Sequence, residues 1–252
     1  MLTTAGAPAP DELALARRDD RGPATEAIAV RLARDVAWDE VLPARASGVA
    51  WRLQRGMKRA LDVVLVLAGG ALLSPLLLVL ALVVRASSPG PILYRWRVMG
   101  ERGRPFTGYK FRTMVANADA LRAALADRNE MSGAVFKMRD DPRVTPIGRW
   151  LRRLSLDELP QLWNVLVGDM SLVGPRPPSA GEFVQFTPSQ RRKLAVRPGI
   201  TCLWQVSGRS GIRDLDEWIR LDLAYIRDWS LWLDVVILCR TVPAVLLARG
   251  AR

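Results

Sequence analysis

Between positions 63 and 84 the chain runs for 22 residues without a charged side chain. No other stretch constrains the fold as much. A helix of that length reaches about 33 Å, enough to span a bilayer core. Composition alone favours one transmembrane helix, but two features favour another course. Ser74-Pro75 stands near the middle, and a proline there removes a helical hydrogen bond and kinks the helix. Five basic residues precede the stretch (Arg45, Arg52, Arg55, Lys58, Arg59) and five follow it (Arg85, Arg95, Arg97, Arg102, Arg104). The positive-inside rule is obeyed on both sides if both flanks stay in the cytoplasm. The segment then reads as a re-entrant hairpin that enters the membrane, turns at Ser74-Pro75 and leaves. The Ser74 hydroxyl is one partner for the backbone groups the proline frees. Asp62, at the boundary beside Lys58 and Arg59, is expected to form a local ion pair.

The flanking chain divides around this segment. Residues 1–26 are rich in Ala, Pro and charge and read as disordered, not as a secretory leader. A weak helical pattern covers 24–42. From Trp51 onward, bulky apolar and basic residues mix as in a membrane-surface helix. Beyond the apolar stretch, 92–98 and 106–114 alternate as short strands, which puts Lys110 and Arg112 on one strand face. Positions 117–129, a polar stretch around 182–193, and 216–228 read as helices. A second basic, glycine-containing region comprises 196–201 and 205–209 and ends on Arg209. The stretch 229–247 is apolar but interrupted by Asp234, Arg240 and Pro243, and reads as lying on the membrane instead of crossing it.

Charge and composition narrow the chemistry. The chain has 37 Lys+Arg, 25 Asp+Glu and no histidine. With the six arginines and eight acids of residues 1–50 set aside, the body holds 31 basic and 17 acidic residues. Such a body suits anionic partners: nucleic acid, anionic lipid or phosphorylated substrates. The lack of histidine excludes Ser-His-Asp and Cys-His triads and His-ligated zinc. Cys202 and Cys239 form no CxxC and no disulfide framework.

Asp157 and Glu158 are adjacent acids just after the basic run Arg149, Arg152, Arg153. One reading is structural, with Ser155 as a helix N-cap and Glu158 as its capping-box partner. The other is chemical. A helix N-terminus suits phosphate, nearby arginines keep an acid ionised, and such an Asp can act as a nucleophile while Glu holds a metal.

The run Ser155-Leu156-Asp157-Glu158-Leu159-Pro160-Gln161-Leu162-Trp163-Asn164-Val165-Leu166, with Gly168-Asp169-Met170-Ser171-Leu172-Val173-Gly174-Pro175-Arg176-Pro177, resembles the core of the bacterial sugar transferases. These are the monotopic polyprenyl-phosphate phosphoglycosyl transferases. Further pieces are Lys58-Arg59 with Ser74-Pro75, Tyr109-Lys110-Phe111-Arg112-Thr113-Met114 and Arg197-Pro198-Gly199-Ile200-Thr201. The resemblance implies transfer of a sugar 1-phosphate from a UDP-sugar to undecaprenyl phosphate, with UMP released and Mg²⁺ required. It carries the nucleophile onto Asp157, the Mg²⁺-holding acid onto Glu158, and phosphate-binding bases onto Arg153, Arg176 and Arg197. Lys110 and Arg112 sit in another shared motif. Cys202 departs from the family, standing where glycine is usual; a positive φ there would force a different loop. Longer members carry an extra N-terminal bundle, whereas this chain reads as a catalytic unit with a tail.

The expected fold is α/β and mostly α: a monotopic membrane protein with a helix-break-helix hairpin, interfacial amphipathic helices and a small cytosolic domain with short strands. Its parts are 1–50, 51–86 and 87–252. The expected location is the cytoplasmic face of the bacterial inner membrane. Expected partners are a UDP-sugar, undecaprenyl phosphate and membrane lipid, with no nucleic acid and room for a homodimer. Two rival readings compete. One is a glycosyltransferase with a DxD metal site at Asp214-Leu215-Asp216, releasing UDP. The other is a basic membrane-tethered scaffold or nucleic-acid binder.

Overall fold

A computed structural model describes residues 7–208, 212 and 214–246; Arg209 and the end of the 229–247 stretch lie outside them. Two helices open the chain, α1 (Pro10–Arg18) and α2 (Pro23–Arg34). Both begin with proline at the first turn and carry acids early and arginines late, which suits the helix dipole. Ala16, Ala29 and Leu32 bury against Met99, Phe183, Val184 and Leu194 of the body. The expectation of disorder therefore fails from residue 10 onward. Small apolar residues on one face of each helix, too few to hold an isolated helix, find a partner surface in the body.

The apolar segment lies in α3 (Val49–Ser87), a single 39-residue helix. By length and composition it could cross a membrane. It does not open into a loop at Pro75, contrary to the expected break. The Ser74 hydroxyl donates to the Ala71 carbonyl at 2.8 Å, the acceptor that Pro75 has no N–H to serve. Both halves of α3 return to one body. Val66 packs with Val98, Phe106 and Val165, and Leu80 and Val84 pack with Phe111 and Leu151. Between these contacts, a Cβ on Gly69 or Gly70 would meet nothing within 4 Å.

Next come β1 (Leu93–Met99) and β2 (Pro105–Phe111), paired antiparallel with Tyr94 opposite Lys110 and Trp96 opposite Gly108. Then follow α4 (Pro146–Arg153), α5 (Leu162–Val167), β3 (Ser171–Val173), α6 (Ala180–Gln185), α7 (Pro188–Arg191), β4 (Gly199–Thr201), α8 (Leu203–Val206), α9 (Leu215–Asp228) and α10 (Leu231–Leu246). Strands β3 and β4 form a short parallel ladder. The expected helix at 117–129 is only a 3-10 turn at Ala123–Arg128, and the 182–193 stretch divides at Pro188, which cannot continue α6.

The boundary charges do not pair as expected. Asp62 accepts from the Ser171 hydroxyl at 2.8 Å and the Leu172 N–H at 3.1 Å. Lys58 reaches Asp234 at 2.6 Å and the Val173 carbonyl at 3.0 Å. Arg59 donates to the Val165 and Leu166 carbonyls at the end of α5, acceptors a helix leaves open and whose partial charge favours a cation. Residues distant in sequence offered better partners than neighbours one turn away.

Candidate active site

The two acids stand in a short 3-10 turn, Leu156–Gln161, and not at the start of an α-helix. Ser155 precedes it in the left-handed region (φ 54°, ψ 20°) and makes no side-chain cap. The capping-box reading of Glu158 fails with it. A non-glycine residue in that region costs on the order of 1 kcal/mol or more, here at the bend that delivers Asp157 and Glu158. Glu158 instead accepts from the Lys110 ammonium at 2.6 Å.

Asp157 is buried. Burial lifts its carboxyl above the ordinary carboxylate range, and Glu158 adds to the lift. Lys110 and Arg152 oppose it with positive charge. Arg152, fixed by a 2.9 Å hydrogen bond from Nε to the Thr113 hydroxyl, lines the same cleft. Arg153, one residue on, is exposed and does not line it. Of the α4 residues only Arg152 lines the cleft, while Leu151 packs into the core and Arg153 faces solvent.

Arg176 enters the cleft from the loop after β3. Glu182 holds its guanidinium at 3.1 and 3.4 Å. Glu182 is itself the capping-box acid of α6, exchanging hydrogen bonds with Ser179. Arg197 lies elsewhere. It borders a small cavity beside Trp51, Arg55 and Trp229 at the base of α3 and pairs with Glu101 at 3.4 Å. Arg112 lines the cleft, but its guanidinium is committed to the Pro91 and Ser88 carbonyls, each at 2.6 Å, with Val84 and Ser88 Oγ behind them. It fastens the end of α3. The strand ends at Phe111, one residue before Arg112.

The cleft encloses about 510 Å³. One wall is the face of β1 and β2. Lys110 Nζ lies 5.0 Å from the Trp96 ring, which stacks on Tyr94 at 6.1 Å and 11°. Gly108 makes this possible, since a Cβ there would stand 2.8 Å from the Trp96 ring. Arg152 is legible in the sequence as one of the arginines beside the acids, whereas Trp96, Tyr94 and Glu182 receive no role there. The alternation of Tyr94, Trp96 and Lys110 across a hairpin was the signal available for the aromatic pair.

The remaining expectations resolve here. Cys202 is buried with extended backbone (φ −148°, ψ 165°), so no glycine conformation is needed there. Asp214 caps α9 through the Asp216 N–H at 3.2 Å, and Asp216 accepts from Gln190 at 2.6 Å. Neither lines the cleft, so the DxD pattern is helix capping. No group of three or more His, Cys, Asp and Glu side chains suited to a metal occurs among the described residues. The donor set that does occur, two adjacent carboxylates beside arginines, fits Mg²⁺, which takes one or two carboxylates and completes its shell with water and phosphate oxygens.

Asp157 is buried and Glu158 half-buried, and Lys110, Arg152 and Arg176 line the same cleft, a setting suited to an anionic phosphate group. The chain belongs to the bacterial sugar transferase family, whose profile matches residues 53–248. It is 48% identical over 163 residues to the galactosyl transferase CpsE of Streptococcus agalactiae, covering 65% of this chain and 36% of that protein. It is 40% identical over 209 residues to the undecaprenyl-phosphate galactose phosphotransferase of Salmonella typhimurium, covering 81% and 44%. It is 41% identical over 198 residues to the exopolysaccharide production protein ExoY of Sinorhizobium fredii, covering 77% and 87%. The match therefore spans less than half of the first two relatives and most of the third.

Proposed function

We propose that this protein transfers a sugar 1-phosphate from a UDP-sugar to undecaprenyl phosphate at the cytoplasmic face of the bacterial inner membrane, releasing UMP. The observation that carries the reading is the burial of Asp157 against Lys110 and Arg152, beside Glu158. A carboxylate so placed is poised to attack an anionic phosphorus, because the cations offset both charges. The Asp157 carboxylate oxygen bonds to the sugar-bearing phosphorus, and the bond from that phosphorus to the UMP oxygen breaks. The lipid phosphate oxygen then attacks the same phosphorus and restores the carboxylate. Splitting the transfer lets UMP leave to water before the lipid acceptor reacts. Glu158 would hold Mg²⁺, which supplies charge neutralisation to the phosphoryl group when bound. Lys110 orients Glu158, and Glu182 orients Arg176 toward the cleft. The name of the Salmonella relative supports the acceptor and the reaction class.

The test is UMP release from a panel of UDP-sugars by membranes containing the wild type or Asp157→Asn, with undecaprenyl phosphate and Mg²⁺. Release by the wild type alone is expected and also identifies the sugar. Equal release by both removes Asp157 from the chemistry. UDP in place of UMP indicates a glycosyltransferase.

A further inference from the structure

Residues 10–34 precede the region that matches the family, 53–248, yet two of them, Asp20 and Arg21, form part of the cleft wall. Helices α1 and α2 share a buried core with α6. The turn between them docks on α6 so closely that the Gly181 N–H donates to the Asp20 carbonyl at 2.8 Å. A Cβ on Gly181 would stand 2.5 Å from that of Asp20. Docked this way, Asp20 and Arg21 line the same cleft as Asp157 and Glu158.

Arg21 ends the aromatic wall. Its guanidinium lies 5.5 Å from the Tyr94 ring and bonds the Tyr94 hydroxyl. The wall thus runs from Glu158 through Lys110, Trp96 and Tyr94 to Arg21. Across from it stand Phe136 and Arg122, with Arg122 paired to Asp20. The charges facing Arg21 are Asp20, Asp119 and Glu182. None of them satisfies its Nε, which is buried without a hydrogen-bond partner, Asp20 being 3.7 Å away. The one firm ion pair, to Asp119 at 2.7 Å, involves a carboxylate that is 65% exposed. A pair that open to water is weak and exchangeable.

We propose that Arg21 is a donor-binding residue that holds the uridine monophosphate half of the sugar nucleotide, so that the N-terminal segment is part of the substrate site. The inference rests on the donor reading above. Chemistry selects the uridylate half over the sugar. A guanidinium recognises a phosphate through paired hydrogen bonds, and Tyr94 and Trp96, which line the cleft beside Arg21, are the aromatic neighbours a base would meet there. A neutral hexose presents neither charge nor a π-face.

The test measures UMP affinity by calorimetry on the full chain in detergent for the wild type, Arg21→Ala, Arg21→Lys and Asp119→Ala, with UDP-sugar kinetics on the same proteins. Arg21→Ala is expected to weaken UMP binding about tenfold or more, and to raise KM for the donor with kcat within about twofold. Arg21→Lys falls between. Asp119→Ala, which frees Arg21 from its protein partner, binds UMP as tightly as the wild type or more tightly. Equal UMP affinity in the wild type and Arg21→Ala overturns the proposal. So does equal weakening by Arg21→Ala and Asp119→Ala, which would make Arg21 a latch for the segment. If the wild type releases UDP in place of UMP, the phosphosugar reaction fails while the UMP affinities still decide Arg21. If the wild type binds no uridine nucleotide, both readings fall.

Discussion

The Ser74 hydroxyl donates to the Ala71 carbonyl at 2.8 Å, within a helix whose next residue, Pro75, has no N–H to give that carbonyl. The pair keeps the apolar helix hydrogen-bonded where it bends most easily. Ser74→Ala is expected to lower stability by about 0.6–2 kcal/mol, the range for such a bond inside a membrane, read as a modest drop in Tm. With both flanks cytoplasmic, Ala50→Cys in a background lacking Cys202 and Cys239 reacts with a membrane-impermeant thiol reagent only after lysis. Labelling of intact cells from the periplasmic side would show that α3 spans the bilayer.

Asp157→Asn separates chemistry from stability. Turnover falls by three orders of magnitude or more, as for loss of a nucleophile. The folded protein binds the Asp157 proton more tightly than the unfolded chain does, because burial raises the carboxyl. Stability in the wild type therefore falls as pH climbs from the ordinary carboxylate range, about 4, through the raised value, and stays lower above it. The amide has no such loss. Tm of the variant should match the wild type in acid and exceed it at neutral pH, and wild-type kcat/KM should rise with pH across the same window.

Arg152 and Arg153 have different outcomes despite being neighbours. Arg152 faces Asp157 and Arg153 faces solvent. Arg152→Ala should reduce kcat about 10²–10³-fold, the cost of removing one preorganised charge-stabilising donor. Arg153→Ala should stay within about threefold. Comparable losses from both would return the phosphate contact to Arg153.

Lys193 and Asp222 form a buried ion pair at 2.6 Å, with side chains 4% and 1% exposed. The positive charge of Arg176 lies close enough to oppose the effect of burial on the Asp222 carboxyl, so the pair neighbours the loop that brings Arg176 to the cleft. Lys193→Met leaves a buried carboxylate unpaired and should cost about 3–5 kcal/mol. Adding Asp222→Leu should restore most of that stability, by denaturant titration, without restoring donor turnover. Recovery of both would show that the pair has no part in positioning Arg176.

The sequence alone determined the elements whose signal is local. The uncharged run at 63–84 dictated an apolar helix, alternation dictated the hairpin strands, and the amphipathic run at 216–228 dictated α9. The adjacent acids at 157 and 158 stood out among arginines, but the sequence left a capping box with Ser155 as an equal reading, and only the left-handed Ser155 removed it. Tertiary structure alone decided which charges meet. Lys58 chose Asp234, Asp62 chose Ser171 and Arg112 chose the end of α3, since a buried charge goes to the partner that packing brings within reach, however distant in sequence. The N-terminal segment was only partly legible: the helical pattern at 24–42 anticipated α2, but α1 was not anticipated, because its few apolar residues bury only where α6 supplies the other half of the core.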